Sequence, residues 1–181
     1  MKKLSIILGI LMGIGISAQS STLVINNYSS YDAAGRFMTV GSASSGPSQP
    51  YMYALANTPY SIYTIPAGGF TKYDKFDNTG GPNPIPIPGW YYIDPLNSAN
   101  TGNYVYNHPI ISAVTAIDEW MGFAFNLTDS TGYTYDTFEV GDPVLSGGFL
   151  NASQNGPNTG SSADWFTIST SGGVVTYFQI Y

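Results

Sequence analysis

The chain contains no cysteine. That excludes disulfides, thiolate metal sites, a cysteine nucleophile and a lipid-modified cysteine anchor. Histidine is limited to His108 and glutamate to Glu119 and Glu139. A zinc site is poorly served, because one histidine and no cysteine leave only carboxylates to complete it. His108 lies in YNHP with no G-x-S-x-G elbow anywhere, so a Ser-His-Asp hydrolase finds no local support. Glycoside hydrolysis needs two carboxyls facing each other across a sugar. Asp118 and Glu119 are adjacent, so on a strand they point to opposite faces and do not make that pair. The expectation is a protein that is not an enzyme, with a glycosidase or lyase pair drawn from distant segments left open.

Charge is scarce as well. Charged residues make up 9% of the chain, with 5 basic against 11 acidic, for a net charge of −6. Clustered Lys and Arg are what hold phosphate, so a nucleic-acid partner is excluded, and so is charge-driven binding to anionic lipid. Long apolar runs are missing but for Leu4 to Ile16, which follows Lys2 and Lys3 and precedes the small residues Ser17, Ala18 and Ser20. A run of that length with those flanks reads as a signal peptide over 1–18, with a retained anchor as the alternative. Cleavage there leaves 19–181 as one secreted domain with no transmembrane segment, free or at the outer cell surface, whose basic residues are Arg36, Lys72 and Lys75.

What the chain does have is turns and β-formers. Clusters such as GSASSGPSQP (41–50), NTP (57–59), DNTGGPNP (77–84), LNSANTGN (96–103) and NASQNGPNTGSS (151–162) punctuate short runs rich in Val, Ile, Tyr, Phe and Thr. This spacing predicts an all-β fold: an antiparallel β-sandwich, jelly-roll-like, in a single domain. Leu23 and Ile25 should share a buried face, as should Met121, Phe123, Phe125 and Leu127 on a central strand. The C-terminal runs DWFTIS and VVTYFQIY, joined by TSGG, predict a hairpin with Phe166 and Ile168 packed on Phe178 and Ile180. Residues 108–120 carry both a helical and a strand pattern; the β-branched residues favour strand, with a short helix as the alternative. The tract 151–162 is expected to be a mobile loop.

Pro82, Pro84, Pro86 and Pro88 fall on every second position, around Ile85 and Ile87. In an extended strand such prolines strip the N–H groups from one edge and leave the other able to pair. That predicts a protected edge strand, against the rival of an exposed polyproline helix read by a partner.

The aromatics are the most informative set, with 15 tyrosines against 9 phenylalanines. Tyr51, Tyr53, Tyr91, Tyr92, Tyr104, Tyr106, Tyr133 and Tyr135 come in adjacent or alternate pairs. Tyrosine and tryptophan join a flat apolar body to a polar tip and tolerate water, so an exposed group makes a platform for sugar rings or a protein surface. The candidate binding residues are Trp90, Tyr91, Tyr92, Tyr104 and Tyr106; the competing reading is cross-strand packing on a half-exposed sheet. Trp120 and Trp165 read as core. Asp74, Asp77 and Asn78 offer hard oxygen ligands that would suit calcium, although no EF-hand pattern is present and such residues also serve as turn caps. The expected function is a secreted, non-catalytic binding module for an extracellular glycan or surface protein. The alternatives are a fibre, adhesin or coat subunit that self-associates through sheet edges, and a membrane-active secreted toxin.

Overall fold

A computed structural model describes residues 22–41, 49–56, 62–170 and 173–181. The expected signal peptide, most of the 41–50 turn, the 57–59 turn and residues 171–172 of the C-terminal turn lie outside the described residues. Two antiparallel-rich sheets pack together as an all-β sandwich, as the turn spacing predicts. The five-stranded sheet runs, in spatial order, β10 (Ser153–Asn155), β11 (Ser162–Thr170), β12 (Gly173–Ile180), β1 (Thr22–Asn27) and β5 (Phe70–Tyr73). The seven-stranded sheet runs β7 (Gly102–Val105), β6 (Gly89–Ile93), β3 (Tyr51–Leu55), β2 (Asp32–Gly41), β8 (Asp118–Thr128) and β9 (Thr134–Gly141). Its seventh strand, β4 (Tyr63–Ile65), pairs the first half of β2, while β3 pairs the second half.

The strands are antiparallel with one exception among the described residues: β1 and β12 run parallel, Thr22 beside Val175 through Asn27 beside Ile180. An entirely antiparallel sandwich was the expectation. The two strands come from opposite ends of the chain, and no turn between them exists to reveal their direction.

Period-two burial builds the core. Leu23 and Ile25 of β1 are fully buried, as are Phe37, Phe123, Leu127, Phe138 and Phe178, with Phe125 scarcely less so. Phe125 stacks on Phe138 at 5.0 Å and on Phe123 at 4.7 Å. β8 is central, between β2 and β9, as its sequence predicts. It carries a bulge, however, where Gly122 takes φ +156° and the β2 register slips between Met38 and Thr39. The extra residue turns Met121 away from Phe123 and onto the outer face, beside Met38 and Leu150, while Trp120 faces the core. The expected four-residue face therefore begins at Phe123.

The C-terminal hairpin forms with a different pairing. Trp165 stands opposite Phe178 and is buried; Phe166 stands opposite Tyr177, on the outer face. Alternation along β11 reveals which residues share a face but not which face is inside, and Trp165 takes the interior. The second correction concerns 109–114, which is a short helix, α1 (Pro109–Val114). His108 caps it, its Nδ1 accepting from Ile110 N at 3.2 Å, and Pro109 opens the first turn. Proline at the first helical position and a capping side chain before it outweigh the β-branched content. Ile111 and Val114 are buried beneath it.

The proline stretch is not a sheet strand. It is an irregular strap, and two of its contacts fall at the isoleucines: Ile87 N donates to Thr79 O at 3.0 Å, and the Tyr73 hydroxyl donates to Ile85 O. Pro88 O accepts from Tyr106 N at 3.0 Å. The Asn/Gly/Ser tract 151–162 contains β10 and a turn clamped onto β9 by Asp136, in place of the mobile loop expected from composition.

Candidate aromatic binding face

Alternation along β6 divides the Trp-Tyr-Tyr run between the two faces of the seven-stranded sheet. Trp90 and Tyr92 point inward, with exposures of 0% and 8%, whereas Tyr91 points outward at 36%. Trp90 is thus a core residue and cannot serve as the platform expected of it. Its Nε1 donates to Phe76 O at 3.2 Å, with Thr79 Oγ1 at 3.3 Å, and its ring packs against Phe76 and Trp120. Tyr92 is removed from the surface in the same way, and burial, with Asp94, Asp118 and Tyr104 adding, pushes its phenol up. Tyr104 is half-buried; its hydroxyl donates to Asn100 O at 2.8 Å, and its ring lies on His108 at 4.6 Å. Tyr106 is half-buried against Gly80, where a Cβ would come within 2.2 Å of its ring, so the pair fits only because residue 80 is glycine. Of the five expected platform residues, Tyr91 alone lies open on a sheet face.

Tyr91 does have aromatic company, contributed by β3. Tyr53 is its direct cross-strand partner, and Tyr51 lies two residues along on the same face. Tyr51 and Tyr53 meet edge to face at 5.7 Å. The Arg36 guanidinium, exposed on β2, lies 5.7 Å from the Tyr53 ring centre, within reach of a cation–π contact. Partial burial raises the Tyr53 phenol, with Tyr51 adding to the shift and Arg36 opposing it. Tyr53 also packs on a small outer cluster of Met38, Met121 and Leu150. The β9–β10 connection covers that cluster, and Asp142 shapes the turn by accepting from Val144 N and Leu145 N. Leu150 is seated where Gly122 and Gly141 lack side chains; a Cβ on either would come within 2.6 Å of its Cδ1.

The face therefore carries three neighbouring tyrosines in a fixed arrangement, one cation and an apolar wall. Tyr51 and Tyr53 were visible in the sequence as an alternate pair, but nothing there tied them to Tyr91. Arg36 gave no signal, because only pairing of β2 with β3 brings it to the tyrosines.

In the Asp74 to Asn78 segment, Asp74 and Asn78 have local partners of their own. Asp74 forms an ion pair with Lys72 at 2.9 Å and accepts from Thr22 Oγ1 at 3.3 Å. Asn78 Oδ1 accepts from Lys75 N at 3.2 Å, closing the 3-10 turn Phe76–Asn78 that also holds Asp77. Among the described residues no three acidic or histidine side chains gather where they would hold a metal.

Two further features lie near α1. A cavity of about 200 Å³ is lined by Tyr92, Asn100, Ile110, Ala113, Val114 and Ile117. Asp118, at the start of β8, is buried; Thr39 Oγ1 donates to its Oδ2 at 3.2 Å, while Oδ1 has no partner among the described residues. Burial pushes its carboxyl up to about 8.

A β-sandwich with an aromatic outer sheet face is the class these observations define. No protein-family model, curated protein or solved structure matches the chain.

Proposed function

We propose that this chain is a secreted, non-catalytic binding module whose target is an extracellular glycan, contacted by the outer face of the seven-stranded sheet. The observation that supports this reading is the set Tyr51, Tyr53 and Tyr91, side by side on rigid strands and partly exposed, with Arg36 at its flank. Flat aromatic faces offer apolar area to the C–H face of a sugar ring, and phenol hydroxyls and a guanidinium offer hydrogen bonds to its rim. Sheet residues hold that geometry more tightly than loop residues would. Export rests on the charged, apolar and small-residue pattern of residues 1–18.

The test is affinity electrophoresis of the purified protein through gels containing soluble polysaccharides, with calcium and with EDTA. Retardation by one polysaccharide is expected. It should weaken roughly tenfold or more in Tyr53→Ala and in Tyr91→Ala, by the general worth of an aromatic contact. Sensitivity to EDTA would bring the Asp74 to Asn78 turn back as a calcium site. No retardation by any polysaccharide, or retardation unchanged in a folded Tyr53→Ala/Tyr91→Ala double variant, overturns the proposal; a surface protein would then be the target to test.

A further inference from the structure

We infer that the open edge of β11, from Thr167 to Ser169, pairs with the same edge of a second copy of this chain. The parity of the hairpin decides which backbone groups face that edge. Ser162 and Tyr181 exchange both of their hydrogen bonds, at 3.1 and 2.8 Å. Counting by twos from that pair, Asp164, Phe166 and Ile168 direct their N–H and C=O groups to β12, and Ala163, Trp165, Thr167 and Ser169 direct theirs away from it. Trp165 fits this assignment, since its N–H donates outward to Ala152 O at 2.7 Å. Beyond Trp165 the cover ends, because β10 pairs only Ser162 to Asp164. Among the described residues nothing meets the outward backbone groups of Thr167 and Ser169.

This chain does close an edge elsewhere. On β9, Gln154 takes the place of a neighbouring strand: Glu139 N donates to its Oε1 at 2.8 Å, and its Nε2 donates to Thr137 O at 3.0 Å. Asn158 Nδ2 covers Tyr135 O at 2.7 Å. Edge strands left long, uncharged and open are the ones that recruit another strand. β11 has that character past Trp165, with Phe166 40% and Ile168 46% exposed.

Three observations point to a second copy as the occupant. An antiparallel two-fold through Ile168 places Thr167 of one copy opposite Ser169 of the other, so each pair exchanges both backbone bonds with no change in either sheet. The same axis brings the two Ile168 side chains together and extends an outer row in which Phe166 already stacks on Tyr177 at 5.3 Å. Finally, Trp165 to Tyr181 contains no charged residue, so two chains that are each net acidic meet here without like charges in contact. The edge belongs to the five-stranded sheet and the tyrosine face to the seven-stranded one, so each can act without the other.

Sedimentation velocity of the purified protein from about 1 μM to about 500 μM, a range suited to a modest interface, tests the inference. A concentration-dependent dimer that goes no further is expected. Thr167→Pro deletes an outward N–H while sparing the β12 ladder, and Ile168→Lys sets two cations against each other across the axis. Each should raise the dimer dissociation constant about tenfold or more. If Thr167→Pro fails to fold, Ile168→Lys decides alone, since its side chain is exposed. The Thr167 and Ser169 amides should gain protection from hydrogen exchange only as the dimer fills. A monomer throughout the range, open-ended polymers, a dimer unaffected in a folded variant, or protection independent of concentration each overturns the proposal.

Discussion

Asp118 and Asp136 each expose only 3% of their surface, but Asp118 lies deep in the fold and Asp136 near its surface, and they carry opposite electrostatics. Asp136 receives donors on both oxygens: Asn158 N and Nδ2 on Oδ1, at 3.1 and 2.9 Å, and Thr159 N and Oγ1 on Oδ2, at 2.8 and 2.6 Å. Burial pushes its carboxyl up, but those hydrogen bonds outweigh burial and hold it below the usual carboxylate range. Asp118 has Thr39 alone among the described residues, and burial dominates, with Glu119 adding to the rise. Depth and donors together set the sign of each shift: Asp136 is shallow and faces four donors, whereas Asp118 is deep and faces one among the described residues. The two residues consequently do different things. Asp136 fastens the 156–160 turn to β9, and Asp118 is a neutral acid at the foot of β8 over most of the physiological range.

Among the substitutions, Asp136→Ala should cost the most. Asp136→Ala leaves the Asn158 and Thr159 donors unpaired and frees the turn, which should lower stability by roughly 2–4 kcal/mol. Urea unfolding followed by circular dichroism measures it. A loss under about 0.5 kcal/mol, the size of an ordinary surface change, would show that the clamp is ornamental and break the contrast at its stronger end.

The pH dependence should then separate the two by direction. The folded pKa of Asp118 is raised to about 8, above the unfolded carboxylate value of about 3.9. Its folded state binds a proton that its unfolded state has lost, so its contribution is complete below about pH 4 and is lost as pH rises towards 8, with a slope approaching about 1.4 kcal/mol per pH unit. Asp136 is lowered, so its contribution holds above the unfolded value and is lost on the acid side, as pH falls through the folded one. Unfolding free energies measured from pH 3 to 9 should therefore decline at both ends. Asp118→Asn should flatten the decline above pH 5 and leave the acid limb in place. Were the wild-type curve level from pH 5 to 8, Asp118 would be an ordinary carboxylate and the contrast would vanish.

None of this was readable from DEW at 118–120, and the reason is general to the molecule. Alternation identifies residues that share a face, and where one face is plainly apolar, as for Leu23 with Ile25 or Phe123 with Phe125, it also identifies the interior. Where both faces are aromatic or apolar it is silent. Trp90-Tyr91-Tyr92 and Trp165-Phe166 are such places: Trp165 is core and Tyr91 exposed as expected, but Trp90 and Tyr92, expected at the surface, are buried, and Phe166, expected to pack inside, faces out. Non-local pairing is silent in the same way: the β1–β12 parallel contact and the Arg36–Tyr53 contact each join segments that no short-range signal connects. Local chemistry that was present went underweighted, for His108 followed by Pro109 is a helix start whatever the β-branched content after it.

The smallest effects sharpen the contrast furthest, because they change one donor at each acid. Thr159→Val takes the hydroxyl from Asp136 Oδ2, and with it the acceptor for Ser161 N at 3.1 Å. It should cost about 1–2 kcal/mol and move the acid limb of the stability curve to higher pH. Thr39→Val takes from Asp118 the one donor it has among the described residues, leaves a group already neutral at pH 7, and conserves shape in a fully buried position. Its effect at pH 7 should stay below about 1 kcal/mol, with the carboxyl pushed still higher. Equal losses for the two variants would mean that packing of the threonine methyl group, rather than the hydrogen bond, is what each position contributes, and donor number would drop out of the difference between the two aspartates.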